Sequence, residues 1–190
     1  MKKWMSLLLT CMTCHLCAHP AQVVIIRHGE KDFEGNLNQK GLERAEALSI
    51  YFENQPELQI YGYPVAIFAA RPTQNTFPFN HDDNTACCLQ TMSPTAQLFK
   101  LPIHAGYAKS QEDEIAQFVL NYPPYKGKNI LICWHNEMIP RLVEAFGINP
   151  VTSSYPDDAF DQTWVITFIP APSLQIYHQR LLFGDLNVLP

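Results

Sequence analysis

The tetrapeptide Arg27-His28-Gly29-Glu30 follows the apolar run Val23-Val24-Ile25-Ile26. It sets a guanidinium beside an imidazole where a buried strand should end. An imidazole nitrogen can act as a nucleophile, and a guanidinium offers a planar fork of donors that matches a phosphate. Gly29 lets the backbone turn sharply and brings amide N–H groups close to a ligand. These pieces point to phosphoryl chemistry on a histidine. Two later segments deliver groups of the same kind. Arg71 ends one apolar stretch, and His135 ends another, with Asn136 and Glu137 next. His81, Asp82 and Asp83 are adjacent in a polar stretch and read as a solvated loop rather than a metal site.

The elements that would position these residues are legible from periodicity. Residues 22–27 read as a short, fully buried strand. Residues 38–54 read as a helix with Asn38 as N-cap and with Leu42, Ala45, Leu48 and Phe52 on one face; Pro56 follows its end. Residues 65–70 form a second strand, and residues 71–89 a long polar loop. Helices are expected over about 93–100 and 110–121, the latter ended by Tyr122-Pro123-Pro124-Tyr125. A third strand covers 129–134, and a helix over 137–146 carries the stripe Ile139, Leu142, Val143 and Phe146. Residues 163–169 and 174–181 alternate like the arms of a hairpin. Strands alternating with helices imply a three-layer α/β/α sandwich with a mostly parallel sheet and an antiparallel edge. In such sheets ligands gather at the carboxyl ends of the strands. Helix N-termini there add donors for an anion, so Arg27, His28, Arg71 and His135 converge on one rim.

Composition narrows the partner classes. A chain of 190 residues, 47% hydrophobic and 16% charged, suits one globular domain with a sizeable core. The net charge is -5 and no run of Lys and Arg occurs, which argues against nucleic acid as a partner. Lys2 and Lys3 precede an apolar stretch over residues 4–17, with small residues Ala18 and Ala21 beyond it. Residues 1–21 therefore read as a signal peptide and 22–190 as the domain, with a periplasmic or secreted location and no stable membrane association after cleavage. Removal leaves 11 basic against 18 acidic residues. An uncleaved anchor or an amphipathic N-terminal helix is the alternative. Cys11, Cys14 and Cys17 lie in this leader with no second cluster to complete a four-ligand site. Cys133 is expected to pack as a small buried residue, and Cys87-Cys88 to form a vicinal pair in the polar loop. The odd count outside the leader speaks against a disulfide framework.

Taken together, Arg27-His28-Gly29-Glu30, the segment Leu37-Asn38-Gln39-Lys40-Gly41-Leu42-Glu43-Arg44-Ala45 and the later Trp134-His135-Asn136 resemble the histidine phosphatase superfamily, the phosphoglycerate mutase-like proteins. The resemblance covers most of residues 22–146. It implies that His28 attacks phosphorus to form a phosphohistidine, while Arg27 and His135 bind the phosphoryl oxygens. A carboxylate would protonate the leaving oxygen, with Glu112 in the segment where many relatives carry it and Glu137 as a competitor. Glu30 and Asn136 fall in the substrate loop. No metal and no other cofactor is implied, and the partner would be a small-molecule phosphomonoester. One departure stands out. The family's second phosphate-binding arginine, three residues before the Gln-Thr pair, is here Cys87 before Gln90-Thr91; Arg71 is the candidate to replace it. Three functions remain open: a phosphomonoester hydrolase, a non-catalytic phosphate-binding protein of the same fold, and a mutase-type phosphotransferase. A thiol-dependent redox protein is a fourth reading, resting on Cys87-Cys88 alone.

Overall fold

Six consecutive buried residues, Gln22–Arg27, form β1 of the computed structural model, which describes residues 19–72, 86–150, 152 and 154–185. A strand buried on both faces must sit inside a sheet, and β1 lies between β4 (Asn129–Trp134) and β5 (Gln162–Thr167). Beyond β4 lie β2 (Pro64–Ala69) and the two-residue β3 (Ile103–His104), and beyond β5 lies β6 (Ser173–His178). The order is β3-β2-β4-β1-β5-β6. The first four strands are parallel, and β5 runs against β1 and β6. The expected α/β architecture with its antiparallel hairpin is therefore present.

Four helices connect these strands: α1 (Gln39–Asn54), α2 (Ala86–Phe99), α3 (Glu112–Asn121) and α4 (Ile139–Ala145). The crossovers through α1 and α2 step one way across the sheet, and the crossover through α3 steps back. Right-handed connections then place α1 and α2 on one face and α3 on the other. The packing agrees, because α1 lies against α2, and α3 against α4. Trp134 and Trp164 are the largest fully buried side chains of the core.

Several local expectations need correction. Asn38 does cap α1, its side chain accepting from the Gly41 N–H at 3.0 Å. The buried face, however, is Gly41, Arg44, Ala45, Leu48, Tyr51 and Phe52, and Leu42 is 48% exposed. The stripe is rotated toward Gly41 because α1 must approach the loop after β1. Helix α2 begins at Ala86 rather than near residue 93 and runs through Pro94, so Cys87 and Cys88 are buried helical residues rather than members of a polar loop. Residues 73–85 of that expected loop, with His81, Asp82 and Asp83, lie outside the described residues, as do residues 1–18 of the leader expected over 1–21. Cys133 is buried as expected, and the α4 stripe of Ile139, Leu142, Val143 and Phe146 is buried throughout. Among the described residues no helix is long and apolar enough to cross a membrane.

Candidate functional site

Strand register brings the two histidines together. Arg27 on β1 is the partner of Trp134 on β4, and the His28 N–H donates to the Trp134 carbonyl at 3.3 Å. His28 and His135 thus leave adjacent parallel strands at the same level. Their ring centroids are 5.2 Å apart, edge to face, and both side chains are buried. The His28 Nδ1–H donates to the Gly29 carbonyl at 2.8 Å. A carbonyl only accepts, so this bond fixes the proton on Nδ1 and leaves the lone pair on Nε2. A histidine held in that tautomer is suited to nucleophilic attack.

Arg27 is held beside this pair by the segment before β5. Its Nη1 donates to the carbonyls of Asp157 at 2.6 Å and Ala159 at 3.0 Å. Its guanidinium lies 3.7 Å over the Phe160 ring, whose own centroid is 6.4 Å from that of His28. Among the described residues the buried Arg27 Nε has no hydrogen-bond partner. A buried cationic donor without a partner is costly, and an anion beside it would satisfy it. Asn136, in the short turn just after β4, anchors the same segment, its Nδ2 donating to Asp157 Oδ1 at 3.1 Å. Neither Phe160 nor Asp157 was recognisable beforehand, since a lone aromatic and an aspartate in a loop carry no spacing signal.

The turn after β1 is fixed from below. The Gly29 N–H donates to Thr91 Oγ1 at 2.9 Å, and that hydroxyl donates on to the Cys87 carbonyl at 2.7 Å. Gln90 Oε1 accepts from the Leu37 N–H at 2.8 Å. The Gln90-Thr91 pair, a mere landmark in the sequence, is therefore the brace that ties the histidine loop to α2. A Cβ on Gly41 would lie 2.1 Å from the Glu30 carbonyl oxygen, so α1 needs glycine where it meets the loop. Glu30, expected in the substrate loop, is committed to α1: Arg44 donates to its two oxygens at 2.7 and 2.9 Å, and Lys40 lies at 3.4 Å. Arg44, 1% exposed, also donates to both oxygens of Asp185, at 2.6 and 3.1 Å. Burial, the largest single influence, would raise both carboxyls, but the hydrogen bonds and charge of Arg44 together with backbone N–H donors outweigh it and hold both below their usual range.

The remaining candidates sit around this centre. Glu112 opens α3 and is buried, and burial pushes its carboxyl up despite Arg141, whose Nε is 3.9 Å from Oε2. Glu137 is half-exposed and lies 3.9 Å from His135 Nδ1 and 3.5 Å from Lys109 Nζ. The Lys109 carbonyl accepts from Trp134 Nε1 at 3.1 Å, which ties the stretch before α3 to the end of β4. Arg71 is exposed; its N–H donates to the Tyr107 carbonyl at 2.7 Å and its Nη1 to the Gly106 carbonyl at 3.3 Å. The structure thus gathers Arg27, His28, His135 and Asn136 at the ends of β1 and β4, and Arg71, at the end of β2, includes the backbone of residues 106–107 among its contacts. Cys87 is fully buried, and its Sγ lies within 4.8 Å of Cys88 Sγ and of a His135 ring nitrogen. The contact with Cys88, together with burial, pushes the Cys87 thiol up, and burial foremost pushes Cys88 up. Neutral thiols of this kind are poor nucleophiles, so the vicinal pair lacks the character of a thiol redox centre.

The sheet order and the helices around it form a phosphoglycerate mutase-like α/β fold that solved structures share. One is a candidate phosphohistidine phosphatase, SixA, of Agrobacterium tumefaciens, with TM-score 0.52 and 17% identity over 83% of this chain and 96% of that one. Another is phosphoserine phosphatase of Entamoeba histolytica in complex with 3-phosphoglyceric acid, with TM-score 0.50 and 14% identity over 85% of this chain and 99% of that one. A third is phosphoglycerate mutase of Plasmodium falciparum, with TM-score 0.50 and 12% identity over 90% and 99%. At these identities the likeness is one of fold. No family model matches the chain, and no curated protein matches it in sequence.

Proposed function

We propose that the protein is a phosphatase that hydrolyses a small phosphomonoester through a phosphohistidine on His28. The observation that carries this reading is the pair of buried imidazoles 5.2 Å apart at the ends of adjacent parallel strands, with the His28 Nδ1–H on the Gly29 carbonyl and the lone pair left on Nε2. In the first step Nε2 attacks phosphorus and the ester oxygen leaves with a proton from Glu112. In the second, water attacks the phosphohistidine, Glu112 takes the water's proton, and His28 and inorganic phosphate are released. Arg27 and His135 bind the phosphoryl oxygens and stabilise the charge that spreads over them during transfer. Arg71 reaches the same rim from β2 and supplies the second guanidinium. Like the solved phosphoserine phosphatase in complex with 3-phosphoglyceric acid, the protein takes a small phosphorylated acid or ester rather than a macromolecule.

Turnover on a panel of phosphomonoesters tests this reading. His28→Ala should abolish turnover and the acid-labile phosphoprotein trapped during it; equal turnover in that variant removes His28 from the chemistry. Arg71→Ala should lower kcat/KM by about 10²-fold, and an unchanged value removes Arg71 from the site. A second reading follows from Cys87, which stands fully buried where an arginine is expected. On that reading the protein binds a phosphate ligand without hydrolysing it. Phosphate binding with no turnover on any ester decides for it. The basic pair Lys2-Lys3 and the apolar stretch after it further support export to the periplasm or outside the cell, with residues 1–21 removed. Fractionation of cells and N-terminal sequencing of the product check this.

A further inference from the structure

A third kind of chemistry gathers at the floor of the same rim. Cys87 Sγ, Cys88 Sγ and a ring nitrogen of His135 all lie within 4.8 Å of one another, and all three residues are buried. Fully buried cysteines ordinarily pack among aliphatic side chains as small apolar residues. Cys87 and Cys88 are fully buried in the core, yet each sulfur also faces the other and a polar ring nitrogen of His135. From this juxtaposition we infer that Cys87, Cys88 and His135 form a binding site for a thiophilic d10 cation of the Zn2+ class.

The geometry is close to what such an ion demands. Bonds of about 2.3 Å to sulfur and about 2.0–2.1 Å to nitrogen in a tetrahedron place the donors about 3.6–3.8 Å apart. Side-chain adjustments of roughly an ångström close the longest separation. Two thiolates and an imidazole are a soft donor set that selects this class of ion over Mg2+ or Ca2+. Both thiols are neutral without the ion, so binding forms two metal–sulfur bonds and one metal–nitrogen bond and releases two protons to solvent. Among the described residues the cluster supplies three donors, one fewer than a closed tetrahedral site holds.

The site is tested by binding rather than turnover, so its failure leaves the phosphatase reading intact. The protein is the full chain with Cys11, Cys14 and Cys17 changed to serine, which leaves Cys87, Cys88 and Cys133 as its thiols. Titration with Co2+ should give one equivalent bound, with thiolate-to-metal charge transfer and tetrahedral ligand-field bands; Zn2+ should displace it. Cys87→Ser and Cys88→Ser should each weaken Zn2+ at least about tenfold, whereas Cys133→Ala should leave its affinity unchanged. No bound ion, no charge-transfer band, or equal affinity in the two serine variants would overturn the assignment. Should those variants fail to fold, X-ray absorption on the parent decides. A shell of two sulfurs and at least one imidazole nitrogen supports the site, and any other sulfur count overturns it.

Discussion

Glu112 meets the two demands on a proton donor: it is buried, and burial holds its carboxyl above the usual range. If it protonates the leaving oxygen, Glu112→Gln should lower kcat about 10²–10⁴-fold on esters with poor leaving groups and far less on activated aryl phosphates. The sign of its pH dependence follows directly. The acid works in its protonated form, so kcat/KM falls as pH rises through the raised value. Arg141, 3.9 Å away, opposes the shift. Arg141→Ala should therefore carry the alkaline limb of the kcat/KM profile to higher pH, and a limb that moved down would transfer the role to another group. Candidates of this kind were readable in the sequence because histidine, arginine and glutamate at strand ends and helix starts carry chemistry in their residue type. Thr91 was not, because a hydroxyl that accepts from the Gly29 N–H looks like any other helical threonine.

At the scale of elements, the contact between α1 and the loop after β1 governs how steadily His28 is held. Gly41→Ala would drive a Cβ to 2.1 Å from the Glu30 carbonyl oxygen, and neither backbone can yield without moving the other. Such overpacking should cost about 1–3 kcal/mol in urea unfolding and lower turnover as the loop shifts. Asn38→Ala removes the cap that accepts from the Gly41 N–H and should cost about 0.5–2 kcal/mol, with a smaller effect on turnover. Strands β1 and β4 were legible to the residue, since six buried positions in a row leave no register ambiguity. The start of α2 was not. Pro94 resembles a first-turn proline, yet the helix passes through it because Cys87, Cys88, Thr91 and Met92 upstream all bury against the core. The polar run before Ala86 concealed that apolar face. In α1 the stripe was misplaced at Leu42, because a buried arginine at position 44 breaks the pattern that apolar periodicity can see.

Across the whole molecule, Arg44 joins parts that sequence reading keeps far apart. It lies 14 positions from Glu30 and 141 from Asp185, and one buried guanidinium serves both carboxylates. Removing the cation strands two carboxylates, so Arg44→Met should cost about 3–5 kcal/mol at neutral pH. Glu30 and Asp185 have depressed values in the folded state. Their stabilising contribution is thus complete above the unfolded carboxylate range and is lost as pH falls through the folded values. Denaturant unfolding across acid pH should show the parent losing stability there, and the gap to Arg44→Met narrowing. Nothing in the spacing of Arg44 and Asp185 announced the pairing, because a contact that spans most of the chain exists only once the sheet has closed. Asp185 is itself set by the N–H groups of Leu181 and Leu182, which bind its Oδ2 at 2.9 and 3.0 Å. The turn at residues 182–185 is therefore a counterweight to the first functional turn of the chain. A stop codon just after Gln179 should loosen the Glu30 turn and dull the nucleophile, because it takes away Asp185, the second carboxylate on Arg44.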